Sequence, residues 1–151
     1  GKGLIPAMTI GYWMPDDNTT RFAFSLMLIV GHNWSIFLKL DGGRGIATSL
    51  GILLGMELWL ETLILGVLFG LVGKNMIYKD SALWALLGII TLPALMLVFG
   101  RSLDFILFGV FLALVLLLKR LLANESIIKM QRKNWRVILF RLVWDRDIKS
   151  K

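Results

Sequence analysis

Residues 82–118 read ALWALLGIITLPALMLVFGRSLDFILFGVFLALVLLL, and they form two long apolar runs separated by a short polar break at Arg101. A helix needs about 20 mostly apolar residues to cross a hydrocarbon layer of about 30 Å. The stretch therefore predicts two consecutive membrane helices, Ala82–Gly100 and Leu103–Leu118. Pro93 lies within the first of them and predicts a kink there.

The same pattern continues toward the N-terminus. The whole chain of 151 residues is 57% hydrophobic, and its mean hydropathy is +0.75, which is more apolar than an ordinary soluble domain. We expect an all-α polytopic membrane protein whose core of about six membrane segments covers residues 1–124. The four earlier segments are predicted at Gly3–Met14, Phe22–Leu38, Ile46–Met56 and Leu58–Tyr78.

The cations are distributed unevenly around these segments. If the loop that contains Lys39 and Arg44 faces the cytoplasm, that side receives 15 of the 17 lysines and arginines, and only Arg21 and Arg101 lie on the other side. Cytoplasmic loops of membrane proteins are enriched in lysine and arginine. The charge pattern thus predicts a cytoplasmic loop at residues 39–45 and a cytoplasmic C-terminus.

Residues 125–151 form a basic tail. Between Ser126 and Trp144 it alternates cations with large apolar residues. Such a pattern is typical of an amphipathic helix on an anionic leaflet, and a solvated basic tail is the alternative. The tail gives no recognisable nucleic-acid-binding module, so no nucleic-acid partner is expected.

Small residues recur every four positions in two segments. Ala47, Gly51 and Gly55 form one such stripe, and Gly66 and Gly70 form another. Small residues on one helix face allow backbones to approach closely in lipid. We therefore predict tight helix packing at both stripes.

The loop at residues 41–48, DGGRGIAT, contains the chemistry-bearing motif. Closely spaced glycines can turn backbone N–H groups toward one point, and a helix that begins at Ile46 would direct its positive end at an anion. Arg44 adds a planar, permanently charged group suited to phosphate oxygens. The loop therefore predicts a phosphate cradle, with a plain helix connector as the alternative. Its spacing matches neither a nucleotide P-loop nor a Rossmann turn.

The run GHNWSIFLKLDGGRGIATSLG at residues 31–51 resembles the second signature of the acyl-phosphate:glycerol-3-phosphate acyltransferases of the PlsY type, approximately GHxxxxFxxFxGGKGVAT. Arg44 stands where lysine is usual, and Ile46 replaces valine. Lys2-Gly3 with Pro6 is similar to a K-G-x-x-P element of the same family. The matching residues are His32, Phe37, Gly42, Gly43, Gly45, Ala47 and Thr48.

The resemblance implies transfer of an acyl group from acyl phosphate to glycerol 3-phosphate in a bacterial-type cell membrane, with membrane lipids as surroundings. The chain has no cysteine and one histidine, which excludes a multi-histidine or thiolate metal site. No metal or cofactor is expected. By the resemblance, His32 and Asn124 are candidate catalytic residues, with orientation favoured over proton abstraction for His32. Candidate substrate-phosphate ligands are Gly42, Gly43, Arg44, Gly45, Thr48, Lys119 and Arg120, with Ser81 and Lys39 as further possibilities.

Two features depart from the family pattern. The first signature, which resembles GSGNxGATN and precedes the K-G-x-x-P element, does not occur in these residues. The third signature, R-H-x-x-N, is represented by residues 120–124, with Leu121 in place of histidine. A degenerate non-catalytic relative, or a transport module with an anion-binding glycine loop, is therefore the alternative. Transport is disfavoured because the apolar segments carry almost no charges away from their ends.

Overall fold

We describe the protein from a computed structural model that covers residues 2–35, 42–77 and 81–122. These residues are helical and contain no strand, so the all-α prediction is confirmed for them. The predicted tail and the candidate residues Lys39 and Asn124 lie outside the described residues. The helices are α1 Leu4–Trp13, α2 Asn18–Asn33, α3 Ile46–Gly55, α4 Trp59–Ile64, a π-helix Leu65–Ile77, α5 Ser81–Val98 and α6 Leu103–Leu121.

Helix α2 differs from its predicted bounds at both ends. It begins at Asn18 because the carboxylate of Asp17 accepts a hydrogen bond from the N–H of Thr20 at 3.0 Å and caps the first turn. It ends at Asn33, where the N–H of Trp34 closes the last turn on the carbonyl of Val30. The predicted end at Leu38 was wrong, because an apolar pattern continues through the sequence beyond the helix end.

The predicted segment Leu58–Tyr78 is divided between two helix types. Helix α4 runs directly into the π-helix, which contains Gly66, Gly70 and Gly73. A π-helix is wider than an α-helix and is usually limited to a single turn. The 13-residue length of this one was not predictable from the hydropathy pattern.

The core lies between α2, α3, α5 and α6. Phe22, near the start of α2, contacts the rings of Phe105 and Phe108, near the start of α6, at centroid distances of 4.9 Å. At the other end, the ammonium of Lys119 in the last turn of α6 lies 5.6 Å from the ring centroid of Trp34, which follows α2. These two helices therefore run parallel. The largest fully buried apolar side chains of this core are Ile29, Ile52, Leu53, Leu58, Met96, Phe108 and Leu112.

The two predicted small-residue stripes differ. A Cβ on Gly51 would lie 2.9 Å from the backbone of Leu4, and one on Gly55 would lie 2.6 Å from Ala7. Tight packing of α3 on α1 is thus confirmed at these two glycines. The prediction of tight packing was wrong for Gly66 and Gly70, because no described atom lies within 4 Å of a Cβ placed there.

A buried ion pair lies at the end of the bundle where α6 begins. Arg101, in the turn between α5 and α6, donates through Nε and Nη2 to the two carboxylate oxygens of Glu61 at 2.7 and 3.1 Å. The Glu61 side chain is fully buried, whereas that of Arg101 is 32% exposed. These hydrogen bonds raise the pKa of Arg101 above its ordinary value, so the guanidinium stays charged at every physiological pH.

The outer faces of the helices expose many large apolar side chains, among them Trp13, Met27, Val98 and Leu103, each more than two thirds exposed. Within the described ranges, no helix combines the length and the apolarity required to cross a membrane. Membrane spanning therefore stays a prediction.

Candidate functional site

The glycine loop, residues 42–45, packs against the C-terminal end of α2. The N–H of Gly43 donates to the carbonyl of His32 at 3.2 Å. A Cβ on Gly42 would collide with that carbonyl, and one on Gly43 would collide with the His32 imidazole. Close approach to α2 therefore requires glycine at both positions.

Gly45 joins the loop to α3. Its φ of 76° is in the left-handed region, and it is the N-cap of α3. A side chain here would be strained, and its Cβ would also lie 2.8 Å from Leu116 of α6. The first N–H groups of α3 have no partner within the helix, so this helix end attracts anions. Arg44 is exposed directly before it.

His32 lies nearer to the loop than predicted. The sequence suggested a position about 10 Å below it, but α2 ends at Asn33, so the loop meets His32 directly. That predicted distance was wrong. Its imidazole lies against Gly43, a position suited to orienting the loop, and its catalytic role stays a prediction.

Lys119 and Arg120 lie in the last turn of α6 and are 6% and 5% exposed. The Lys119 ammonium is 5.6 Å from the ring centroid of Trp34, which follows α2. Nη2 of Arg120 donates to the carbonyl of Ala82 in α5 at 2.8 Å. Because Leu116, one turn earlier, contacts Gly45, both cations lie at the glycine-loop end of the bundle. Burying two adjacent cations is costly unless charge or hydrogen bonds compensate them.

An apolar cavity of about 350 Å³ begins beside the glycine loop. Arg44 lies at this end, and the cavity continues between α3, the π-helix, α5 and α6. Gly66 and Gly70 line one wall, which explains the open space beside them. Leu53, Trp84 and Leu112 also line the cavity. The arrangement joins an anion-attracting loop to an apolar space.

The structure gives fewer contacts for the remaining candidate residues. Thr48 is 6% exposed in the first turn of α3, and its carbonyl packs against Gly3. Ser81 is the first residue of α5, and its side chain is outside the described part of the structure. The roles of these residues, and those of Lys39 and Asn124, stay predictions.

Sequence reasoning missed Asn33. It is fully buried, and Oδ1 and Nδ2 lie 2.6 and 3.0 Å from a Cβ built on Gly45. Neither atom has a hydrogen-bond partner among the described residues. Its place directly after His32 was the available signal, but the pattern could not reveal that the loop folds back onto it.

The sequence model of a family described as glycerol-3-phosphate acyltransferase matches residues 1–130. The chain therefore belongs to the glycerol-3-phosphate acyltransferase family.

Individual relatives agree with this assignment. The chain is 31% identical over 160 residues to glycerol-3-phosphate acyltransferase 4 of Dehalococcoides mccartyi strain CBDB1, covering 99% of this chain and 65% of that protein. It is 31% identical over 116 residues to glycerol-3-phosphate acyltransferase of Carboxydothermus hydrogenoformans, covering 77% of this chain and 57% of that protein. The chain thus spans about three fifths of the length of these curated relatives. No solved structure gives a significant match.

Proposed function

We propose that the protein is a membrane enzyme of phospholipid biosynthesis that transfers an acyl group from acyl phosphate to glycerol 3-phosphate, giving lysophosphatidate and phosphate. The observation that carries this proposal is the position of Arg44, which belongs both to the glycine loop and to the mouth of the apolar cavity. Glycerol 3-phosphate is a small anion, and acyl phosphate joins an anionic head to an apolar chain. The reaction must therefore bring a phosphate and an acyl chain together. The family membership supports the glycerol 3-phosphate acceptor.

In this proposal the glycerol 3-phosphate phosphate binds at the start of α3. Backbone N–H groups of the glycine loop donate to its oxygens, and the α3 dipole stabilises the charge. The Arg44 guanidinium adds a charge-assisted contact. Gly42, Gly43, Gly45 and Thr48 complete the set of proposed ligands.

The acyl phosphate binds across the same end of the bundle. Lys119 and Arg120 are buried within one turn of the Gly45 contact, and their charged groups donate to oxygens of the phosphate. The acyl chain extends into the cavity, whose apolar walls remove it from water. Lys39 and Ser81 are further proposed contacts for either phosphate.

The reaction needs positioning more than a strong base. The glycerol hydroxyl oxygen attacks the acyl carbonyl carbon from about 3 to 3.5 Å. The bond from that carbon to the phosphate oxygen breaks, phosphate departs with the electron pair, and the hydroxyl proton passes to a phosphate oxygen. This route requires no histidine at Leu121. His32 and Asn124 are proposed to orient the loop and the substrates.

We further propose that the protein is a multi-pass protein of a bacterial-type cell membrane, with the glycine loop and the C-terminus on the cytoplasmic side. The exposed apolar faces of the helices support a lipid environment. The cations Arg44, Lys119 and Arg120 share one end of the bundle, and Arg101 lies at the other, which agrees with the orientation rule. Glycerol 3-phosphate would then reach the site from the cytoplasm.

The proposal is tested with purified protein in liposomes, by following labelled glycerol 3-phosphate into lysophosphatidate. Palmitoyl phosphate and palmitoyl coenzyme A are compared as donors. We expect product with palmitoyl phosphate, strong loss in Arg44→Ala, and little change in the control Arg21→Ala, since Arg21 lies in the first turn of α2, at the far end of that helix. Product only with the coenzyme A donor would overturn the acyl-phosphate assignment, and no product with either would overturn the proposed activity.

A further inference from the structure

Asn33 is the feature that the proposed mechanism does not use. Its carboxamide is fully buried, and among the described residues neither polar atom has a hydrogen-bond partner. Buried polar side chains are nearly always hydrogen-bonded, and leaving one unpaired costs stability. An unpaired amide at this place therefore calls for a functional explanation.

The carboxamide lies directly beneath the start of α3. Both of its polar atoms are within 3.0 Å of the position that a Cβ on Gly45 would take, and Gly45 is the N-cap of that helix. Since Asn33 is fully buried, it cannot touch a ligand bound on the outer side of the loop. Any effect on phosphate binding must pass through the loop backbone.

Peptide geometry provides the connection. In a planar trans peptide, the N–H and the C=O of one unit point in opposite directions. When loop N–H groups turn outward to a phosphate, the carbonyls of the same peptide units turn inward, toward Nδ2 of Asn33. The ligand-bound loop can thus offer the acceptor that the carboxamide lacks.

We propose that Asn33 is a positioning residue for the glycine loop, whose Nδ2 donates to an inward-turned loop carbonyl when the phosphate of glycerol 3-phosphate binds at the start of α3. This inference rests on the proposed function and adds a residue that acts through the loop. The unpaired amide of the ligand-free protein makes the free state less stable, and pairing in the bound state increases affinity.

The first test replaces Asn33 with leucine, which has a similar size and no polar atoms. Removing a buried, unpaired polar group should leave the melting temperature unchanged or raise it. The KM for glycerol 3-phosphate should rise about tenfold, as expected for one lost hydrogen bond. The KM for acyl phosphate should stay the same. A residue with a merely structural role would lower the melting temperature and change both constants together.

Ser25 provides a matched control. It is also fully buried in α2, and its Oγ has no partner among the described residues, but it lies eight residues, about 12 Å, before Asn33. Ser25→Ala should leave both KM values unchanged. If it raises the KM for glycerol 3-phosphate as Asn33→Leu does, the effect is general to α2 and the proposal is overturned.

Asn33→Asp keeps the shape of the side chain and removes the hydrogen-bond donor. It therefore tests the same hydrogen bond if the leucine variant does not fold. We expect at least the same tenfold rise in KM for glycerol 3-phosphate. If the wild-type protein acylates glycerol 3-phosphate and a folded Asn33→Asp or Asn33→Leu variant has the same KM for that substrate, this inference alone is overturned. A parent protein that neither binds nor acylates glycerol 3-phosphate overturns the proposed function and this inference with it.

Discussion

Replacing Arg101 with methionine removes the partner of a fully buried carboxylate. Arg101 and Glu61 make two parallel hydrogen bonds at 2.7 and 3.1 Å, and the Glu61 side chain has no exposure to solvent. Breaking a buried pair from one side costs about 3 to 5 kcal/mol, because it leaves an uncompensated charge. Since the Arg101 side chain is 32% exposed, water can partly replace it, and we expect about 3 kcal/mol.

The opposite replacement should cost less. Glu61→Gln leaves Arg101 as the unpaired charge, which solvent already reaches, and the glutamine oxygen can still accept one of its hydrogen bonds. We expect a loss of about 1 kcal/mol. The double variant Glu61→Leu with Arg101→Met should recover most of the loss, because an apolar pair of similar volume often matches a buried ion pair in stability.

The assay is unfolding of the four proteins in one detergent, followed by tryptophan fluorescence. The Arg101→Met loss corresponds to a drop of roughly 6 to 12 °C in melting temperature. The pair precedes α6, whereas Lys119 lies about 25 Å further along that helix, so the KM values of the folded protein should not change. Equal losses for Arg101→Met and Glu61→Gln, or no loss for either, would refute the assignment of a buried carboxylate at Glu61.

Three further predictions follow from other parts of the structure. Gly45→Ala should raise the KM for glycerol 3-phosphate far more than that for acyl phosphate in acylation assays, because a positive φ strains any other residue; equal changes would contradict a dedicated cradle. Gly70→Leu should fill the cavity from an open wall, so long-chain acyl phosphates should lose activity more than short ones, and an unchanged chain-length profile would contradict the acyl site. The hydrogen bonds from Thr20 lower the pKa of Asp17, so this cap stabilises the protein above the ordinary carboxyl pKa and is lost as the pH falls through the lowered value. Melting curves of Asp17→Asn should therefore lose part of their acid dependence below the ordinary carboxyl pKa, and an unchanged curve would contradict the cap.

Much of the helix order could be predicted from the sequence. Apolar runs between polar breaks gave the positions of α1, α3, α5 and α6 to within a few residues, because Pro15, the glycine loop and Arg101 interrupt them unambiguously. The end of α2 could not be found in this way, since apolar residues continue beyond Trp34. The change from α4 to a π-helix was also hidden, because hydropathy does not distinguish helices with different numbers of residues per turn.

The candidate site was predictable where the chemistry belongs to a local motif. The glycine loop and Arg44 stood out by their spacing, and the structure brings them together with His32, Lys119 and Arg120. Asn33 could not be predicted, because its importance depends on the loop folding back beneath Gly45. The cavity was equally hidden, since Gly66 and Gly70 have the same spacing as the closely packed Gly51 and Gly55, and only the tertiary structure distinguishes an open wall from a packed one.

The central claim is that the glycine loop and Arg44 bind the phosphate of glycerol 3-phosphate, and calorimetric titration of that ligand into the purified protein tests it most directly. Wild-type protein should bind with a measurable heat. Arg44→Ala should bind about 30-fold or more weakly, since a charge-assisted hydrogen bond contributes roughly 2 kcal/mol or more. Arg44→Lys should retain part of the affinity, and Arg21→Ala should bind as the wild type does. No binding by the wild type, or equal binding by Arg44→Ala, would contradict the account.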